Sequence, residues 1–269
     1  CKHNDIKKVI KMLLTVDMGN TNINFGVFEG DDILFLSRIA TDTDRTGDQY
    51  AVVILNIFKL YGFEPKLIEG SVISSVVPEL TSTLVEAIEK LTDRSPLILG
   101  PGLKTGINIL TDNPAQVGSD LIAGAVAAKL LYPLPCLVVD LGTATKISIV
   151  DESGAFLGCT ISAGISISLD ALADRTSQLP NISLVAPASV IGKNTIDSMQ
   201  AGTVFGAAAM IDGLCDRIEE ELGRPVGSIV ATGGLSSKIV KNCKHKIEYN
   251  GQLLLEGLKT IYYKNSKQA

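Results

Sequence analysis

Short apolar runs of alternating character, followed by longer stretches with apolar residues three and four apart, occur in one order, and that order is used twice. Residues 13–17 and 23–28 read as strands joined by a hairpin, and residues 33–39 as a third strand. A polar stretch at 41–48 precedes a helix over 49–61. Residues 71–77 form another apolar strand, and Pro78 then opens a helix reaching residue 91. Residues 96–100 predict a short strand, turn residues dominate 100–118, and a helix follows over 119–131. The second half brings strands at 136–140, 147–150 and 156–161, then helices at 166–173 and 197–222. A strand at 228–232 ends in Gly233 and Gly234, and a last helix covers 253–263. Hairpin, strand, helix, strand, helix, twice over, predicts a two-domain α/β protein with mixed sheets flanked by helices. The expected domains are residues 12–117 and 118–269. Residues 1–11 read as an extension or cloning remnant ahead of Met12.

The duplication is also visible as a motif. Residues 16–30 read VDMGNTNINFGVFEG and residues 139–153 read VDLGTATKISIVDES. At one constant offset Asp17 aligns with Asp140, Gly19 with Gly142, Val27 with Val150 and Glu29 with Glu152. Two copies so far apart suggest related half-molecules rather than a solenoid. Each half offers an acidic, glycine-containing strand end, which suits a nucleotide phosphate chain held between two domains. Gly19 lets the backbone approach a phosphate without a side-chain clash, and Asn20, Thr21 and Asn22 offer amide and hydroxyl donors. Asp17, itself negative, would act on phosphate through Mg²⁺ and water. One copy alone would favour a plain hairpin turn capped by Asn and Asp; the second copy in register reverses that preference. Neither GxxxxGK[ST] nor GxGxxG occurs, so a phosphate site here is of another design.

Composition narrows the classes. With 46% hydrophobic residues in 269, the chain can bury a substantial core. A net charge of -5 argues against a protein whose main task is neutralising nucleic-acid phosphates. Cys1, Cys136, Cys159, Cys215 and Cys243 are scattered, odd in number and form no CxxC, as expected of reduced cytosolic thiols. His3 and His245 make no metal site by spacing. No apolar run approaches the ~18 residues that span a membrane, and the basic N-terminus lacks the apolar segment of a signal peptide. A cytoplasmic protein with no nucleic-acid or membrane partner is expected.

Asp120, in NPAQVGSDLIAG, stands at the predicted N-terminus of an apolar helix, where the helix dipole favours its carboxylate. A phosphoryl-acceptor hydroxyl needs a group that orients it and takes its proton, and an aspartate can serve. A carboxylate that merely stabilises the helix fits this position equally well.

The set DMGNTN, GPGLKTGINI, DNPAQVGSD, DLGTAT, IGKNTIDSMQAG and ATGG, in this order, resembles the type III pantothenate kinases. These belong to the acetate and sugar kinase, chaperone ATPase and actin superfamily, and the resemblance spans nearly all of the chain from Met12. It implies two ribonuclease H-like domains, a homodimer, and transfer of the ATP γ-phosphoryl group to the pantothenate hydroxyl, the first step towards coenzyme A. It also implies Mg²⁺ and a monovalent cation, K⁺ or NH₄⁺. By resemblance, Asp17, Met18, Gly19, Asn20, Thr21 and Asn22 form the first phosphate motif and Asp120 is the proton acceptor. Asp140 is the monovalent-cation ligand, Gly142 and Thr143 contact ATP, and Gly233 and Gly234 lie beside the adenosine. Gly118 and Thr195 match pantothenate contacts, and Asn22, Thr111, Ser119 and Leu121 stand with them on the acceptor side.

The chain also departs from this pattern. Leu121 stands where the family usually has Arg, Thr111 where it has Tyr, and Gly124 where it has Asn. Lys146, Ile147 and Ser148 replace Thr-Phe-Asp, and Ala163 precedes Gly164 where PGI is common. The departures gather on the acceptor side. They leave open a kinase of another small alcohol, or a non-catalytic relative that binds nucleotide or acts as a transcription accessory factor. The long apolar helix that includes Met199, Val204, Phe205, Met210, Ile211 and Leu214 reads as core packing or as a dimer seam.

Overall fold

The structure, a computed structural model, describes residues 12–266. The expected extension at residues 1–11 lies outside the described residues.

Strand β1 (Met12–Met18) is buried along its whole length. Its near-continuous apolar sequence is what a strand covered on both faces requires. It pairs antiparallel with β2 (Asn22–Glu29), and β2 pairs antiparallel with β3 (Asp32–Ala40). Helix α1 (Gly47–Leu60) returns the chain to β4 (Ile68–Ser75), parallel to β1. Helix α2 (Pro78–Thr92) leads to the two-residue β5 (Leu97–Ile98), parallel to β4. The sheet order is β3-β2-β1-β4-β5. A capping box at Thr46 and Gln49 starts α1, and Pro78 at the first turn starts α2. Phe25, Tyr50, Ile54, Phe58 and Leu84 fill the core beneath the sheet.

The second sheet repeats the plan. After α3 (Ser119–Leu131), strands β6 (Cys136–Leu141), β7 (Ala144–Val150) and β8 (Phe156–Ala163) form an antiparallel meander. Helices α4 (Ile165–Asp174) and α5 (Thr195–Leu222) precede β9 (Ser228–Thr232), which runs parallel to β6. Helix α6 (Ser236–Ile239) and β10 (Glu248–Tyr249) follow, then α7 (Leu253–Ser266). The order β10-β9-β6-β7-β8 is that of the first sheet read from its other edge. Both α6 and β10 are absent from the sequence-based expectation, being too short to carry a periodicity.

The strand register corrects the repeat alignment. Asp17 pairs with Asn24, whereas Asp140 pairs with Lys146. The first turn closes through Gly19 N–H on Asn22 O, and the second through Gly142 N–H on Ala144 O, one residue shorter. Beyond the turn the equivalent of Val27 is therefore Ile149, not Val150, and the strand irregularities at 27/28 and 149/150 agree. Asn24 and Lys146 thus occupy one structural position in the two halves.

The compact units also differ from the expected division. One comprises residues 12–104 with 258–266, the other Thr105–Gly257. Leu110 N–H donates to Phe156 O at 2.9 Å and Phe156 N–H to Asn108 O at 2.8 Å, which ties the loop after Lys104 to β8. The end of α7 joins the first unit: Lys259 pairs with Asp31 at 2.8 Å, and Asn265 exchanges two hydrogen bonds with the Lys104 backbone, each 3.1 Å.

Within the second unit the faces of the sheet are distinct. Side chains alternate along a strand. Val139, Leu141 and Ile147 face α4 and α5, packing with Ile165, Val204 and Ala208. Val138, Asp140 and Lys146 point to the opposite face, where Lys146 meets the start of α3. Residues 122–128 of α3 are all buried, as expected of a helix that is apolar all round. On α5, Met199, Val204, Ala208, Ile211 and Cys215 are buried, which is the core-packing reading of that helix. Cys136, Cys159, Cys215 and Cys243 are free thiols. Burial pushes Cys136 up to about 11 and Cys215 and Cys243 up to about 12, so all three stay protonated near neutrality. Among the described residues no helix is long and apolar enough to cross a membrane.

Candidate functional site

Helix α3 begins at Asp120 with an unusual economy of space. Gly118 is its N-cap, and a Cβ there would lie 2.6 Å from Asp120 Oδ1. Any larger residue there would push this carboxylate aside. With no side chain on Gly118 to cap the helix, Asp120 Oδ1 accepts from Leu121 N–H at 2.8 Å. One oxygen of Asp120 therefore serves the helix terminus, as the purely structural reading requires. The other points elsewhere.

Asp120 Oδ2 accepts from the Lys146 ammonium, which lies 2.8 Å from Asp140 Oδ2 as well. The three side chains are 14–17% exposed, so most of their charged surface is withdrawn from water. Burial works against the Lys146 ammonium, but the Asp140 and Asp120 carboxylates outweigh it and hold the ammonium above the ordinary lysine range. Burial pushes the Asp140 carboxyl up, and Lys146 offsets part of that shift. Gly233, at φ +95°, comes close to this group: a Cβ there would lie 2.6 Å from Leu141 O and 2.9 Å from Asp140 Oδ1. The glycine pair after β9 and the acidic end of β6 are thus one packed feature. Lys146 was absent from the expected site residues. The signal was available in the six-residue step from Asp140, which a tight hairpin converts into a directly opposed cross-strand pair.

The first unit carries the equivalent acidic strand end. Asp17 is 8% exposed, and Asn24 donates to its Oδ2 at 3.3 Å. Thr41 Oγ1 donates to Gly19 O at 2.7 Å, and Thr41 N–H to Thr21 O at 3.0 Å, which fixes the turn. Asn20 and Thr21 are exposed and Asn22 half-buried, so their donors face outward. The Met18 side chain faces the other way. Its side chain is 1% exposed within the core, and its carbonyl accepts from Val76 N–H at 3.0 Å. Aspartate, asparagine and threonine oxygens at a strand end suit a hard divalent cation such as Mg²⁺.

The remaining expected residues separate. Gly142 and Thr143 form the β6–β7 turn beside Asp140, and Gly234 follows Gly233 in the exposed turn after β9. Ser119 opens α3 next to Asp120. Thr111 stands in the loop before the turn Pro114–Gln116, and its buried hydroxyl has no partner among the described residues. Thr195 is the exposed first residue of α5, behind the N-cap Asn194, whose side chain accepts from Asp197 N–H at 2.9 Å. Thr195 lines an open cavity of about 830 Å³ with Thr145, Ala163, Ile165, Lys193 and Met210. Thr145 and Lys146 are neighbours in β7, so this cavity and the Asp120–Lys146–Asp140 group lie on opposite faces of one sheet. Within a single chain the structure does not bring Thr195 to Asp120.

Two mixed five-stranded sheets of one topology, flanked by helices and each with a carboxylate at the end of its central strand, define the actin- and sugar-kinase-like fold. A Baf family transcriptional activator of Campylobacter jejuni aligns with a TM-score of 0.59 at 21% identity, over 94% of this chain and 99% of its own. MreB5 of Spiroplasma citri aligns with a TM-score of 0.55 at 11% identity, over 96% and 98%. These likenesses concern the fold alone. The sequence goes further: a family model for type III pantothenate kinase matches residues 13–217. The type III pantothenate kinase of Myxococcus xanthus (strain DK1622) is 45% identical over 254 residues, 94% of this chain and 99% of its own length. The chain belongs to the type III pantothenate kinase family.

Proposed function

We propose that this protein phosphorylates pantothenate at the expense of ATP, giving 4'-phosphopantothenate at the entry to coenzyme A biosynthesis. The observation that carries the reading is the anchored carboxylate of Asp120. It is fixed by the Leu121 N–H on one oxygen and by Lys146 on the other. A carboxylate held at both oxygens is oriented, as a base for an acceptor hydroxyl has to be. In the reaction the pantothenate hydroxyl oxygen attacks the γ-phosphorus, its proton passes to Asp120, and ADP leaves. Positioning dominates such transfers, which is why an aspartate of low basicity suffices. Asp17 with Asn20, Thr21 and Asn22 would hold Mg²⁺ through water, and the ion would neutralise charge on the phosphates. In the second unit, Gly142, Thr143, Gly233 and Gly234 are the candidate nucleotide contacts. A homodimer would cover part of the α5 surface that a single chain leaves half-buried, such as Phe205.

The test is ADP release by the purified protein with ATP and Mg²⁺, with and without pantothenate. Pantothenate-dependent release supports the reading. Release that depends on another small alcohol would favour a shifted acceptor, and ATP binding without any release would favour a non-catalytic relative. The shifted acceptor is favoured by specific residues: Leu121 offers no fork for a carboxylate, and the Thr111 hydroxyl lacks a partner among the described residues.

Two substitutions probe the acceptor side. Leu121→Arg should raise kcat/KM for pantothenate by roughly tenfold or more, since a charged hydrogen bond contributes about 1.5–3 kcal/mol. Unchanged kcat and KM would mean that the departure is compensated elsewhere. Gly118→Ala should lower kcat by about tenfold at nearly unchanged melting temperature, because its Cβ displaces the Asp120 carboxylate and a small shift of a reacting group is costly. Unaltered kcat would show that Asp120 is not held where the reaction needs it.

A further inference from the structure

The resemblance implies K⁺ or NH₄⁺ on Asp140, and the residues present do not fit that expectation. Asp140 Oδ2 already has a cation, the Lys146 ammonium at 2.8 Å. Its Oδ1 backs onto the Gly233 backbone, where even an added Cβ would be only 2.9 Å away. Asp120 Oδ2 has the same ammonium, and Asp120 Oδ1 has the Leu121 N–H. A diffusible cation would have to displace Lys146 or sit beside it against like-charge repulsion, which is strong where water is largely excluded.

We propose that Lys146 is this protein's own monovalent cation: its ammonium replaces K⁺ between Asp140 and Asp120 and frees phosphoryl transfer from any requirement for K⁺ or NH₄⁺. Three observations converge on it. Lys146 bridges both carboxylates rather than pairing with one. It is mostly withdrawn from water, so it is not a solvated surface lysine. The structural counterpart in the first half is Asn24, which reaches Asp17 by an uncharged amide. The two halves therefore share a cross-strand contact to the strand-end acid, and only the second carries a charge there. Lys146 acts through Asp140 and Asp120 rather than on the substrate, and is a positioning residue.

The inference rests on the kinase reading for its rate arm, but it has a second arm that does not. Rates are compared in KCl, NH₄Cl and tetramethylammonium chloride at equal ionic strength, for the wild type and for Lys146→Ala. Thermal unfolding is followed in the same salts without substrates. The wild type is expected to turn over at rates within about twofold in all three salts and to unfold at one temperature. Lys146→Ala should lose about a hundredfold or more in kcat in tetramethylammonium, recover part of it in KCl and NH₄Cl, and gain thermal stability from those two salts alone. Wild-type turnover or stability that saturates with K⁺ overturns the proposal. So does a variant that no monovalent cation restores, because Lys146 would then be a structural tether. Absence of turnover with pantothenate in every salt counts against the kinase reading instead, and the unfolding comparison still decides the role of Lys146. The wild-type arms stand even if Lys146→Ala does not fold.

Discussion

Asp120→Asn is expected to lower phosphoryl transfer by about 10²–10⁴-fold, the usual contribution of a positioned general base, while leaving ATP affinity unchanged. The substitution keeps the shape of the side chain. The amide oxygen can still accept the Leu121 N–H, so the start of α3 keeps its anchor. What is lost is the capacity to take the acceptor's proton and half of the charge around Lys146. That ammonium still has Asp140 at 2.8 Å, so it is not left unpaired. The stability cost should therefore fall near the lower end of the ~1–3 kcal/mol for a damaged buried polar contact. ADP release, ATP binding by calorimetry and a melting curve, all on one preparation, separate these effects. Turnover within about twofold of wild type, against the expected loss, would leave Asp120 as a helix anchor and nothing more.

The sequence announced the duplicated plan because its signals were local. An apolar run ending in Asp and Gly twice over, Pro78 ahead of a helix, and an all-apolar stretch after Asp120 each dictate an element within their own span. Periodicity does not reach across a turn. The constant offset from Asp17 to Asp140 fails by one residue after the glycine, and that slip hid the pairing of Lys146 with Asp140. Lys146 was visible only as a departure from a family pattern, since its meaning depends on two partners, one six positions earlier in a facing strand and one on α3. Met18 shows a related limit of the sequence. Its place inside a phosphate motif suggested a ligand contact, but strand alternation turns its side chain into the core. Thr195 was grouped with Asp120 by motif, and the sheet between their two faces is a fact of topology that no spacing reports. The unit boundary after Lys104 likewise depends on long-range hydrogen bonds to β8 and on α7 returning to the first sheet.

Gly257→Leu should be among the most damaging single changes in the chain, although it lies outside every motif. Gly257 sits in α7 where that helix meets the backbone of α3: an added Cβ would lie 1.9 Å from Ala123 O and 2.8 Å from its carbonyl carbon. The obstacle is main chain, so no rotamer change can relieve it. Helix α3 cannot retreat, because Ala123, Ala125, Ala127 and Ala128 are all fully buried on its several faces. Overpacking of this kind costs about 1–3 kcal/mol in forgiving sites and more where backbone must move. At about 3 kcal/mol the melting temperature of a chain this size would fall by roughly 6–12 °C. Because α3 carries Asp120 at its first turn, any shift that accommodates the leucine also moves the carboxylate, and kcat should fall with stability. Gly124 supplies the control on the same helix. Its Cβ would meet only Val138 Cγ1 at 3.6 Å and Leu254 Cδ1 at 3.9 Å, ordinary contacts. Gly124→Ala should therefore be neutral or stabilise by up to about 1 kcal/mol through helix propensity. Equal melting temperatures for Gly257→Leu and wild type would mean that α7 does not hold α3 in place, and the account of how Asp120 is positioned would need another support.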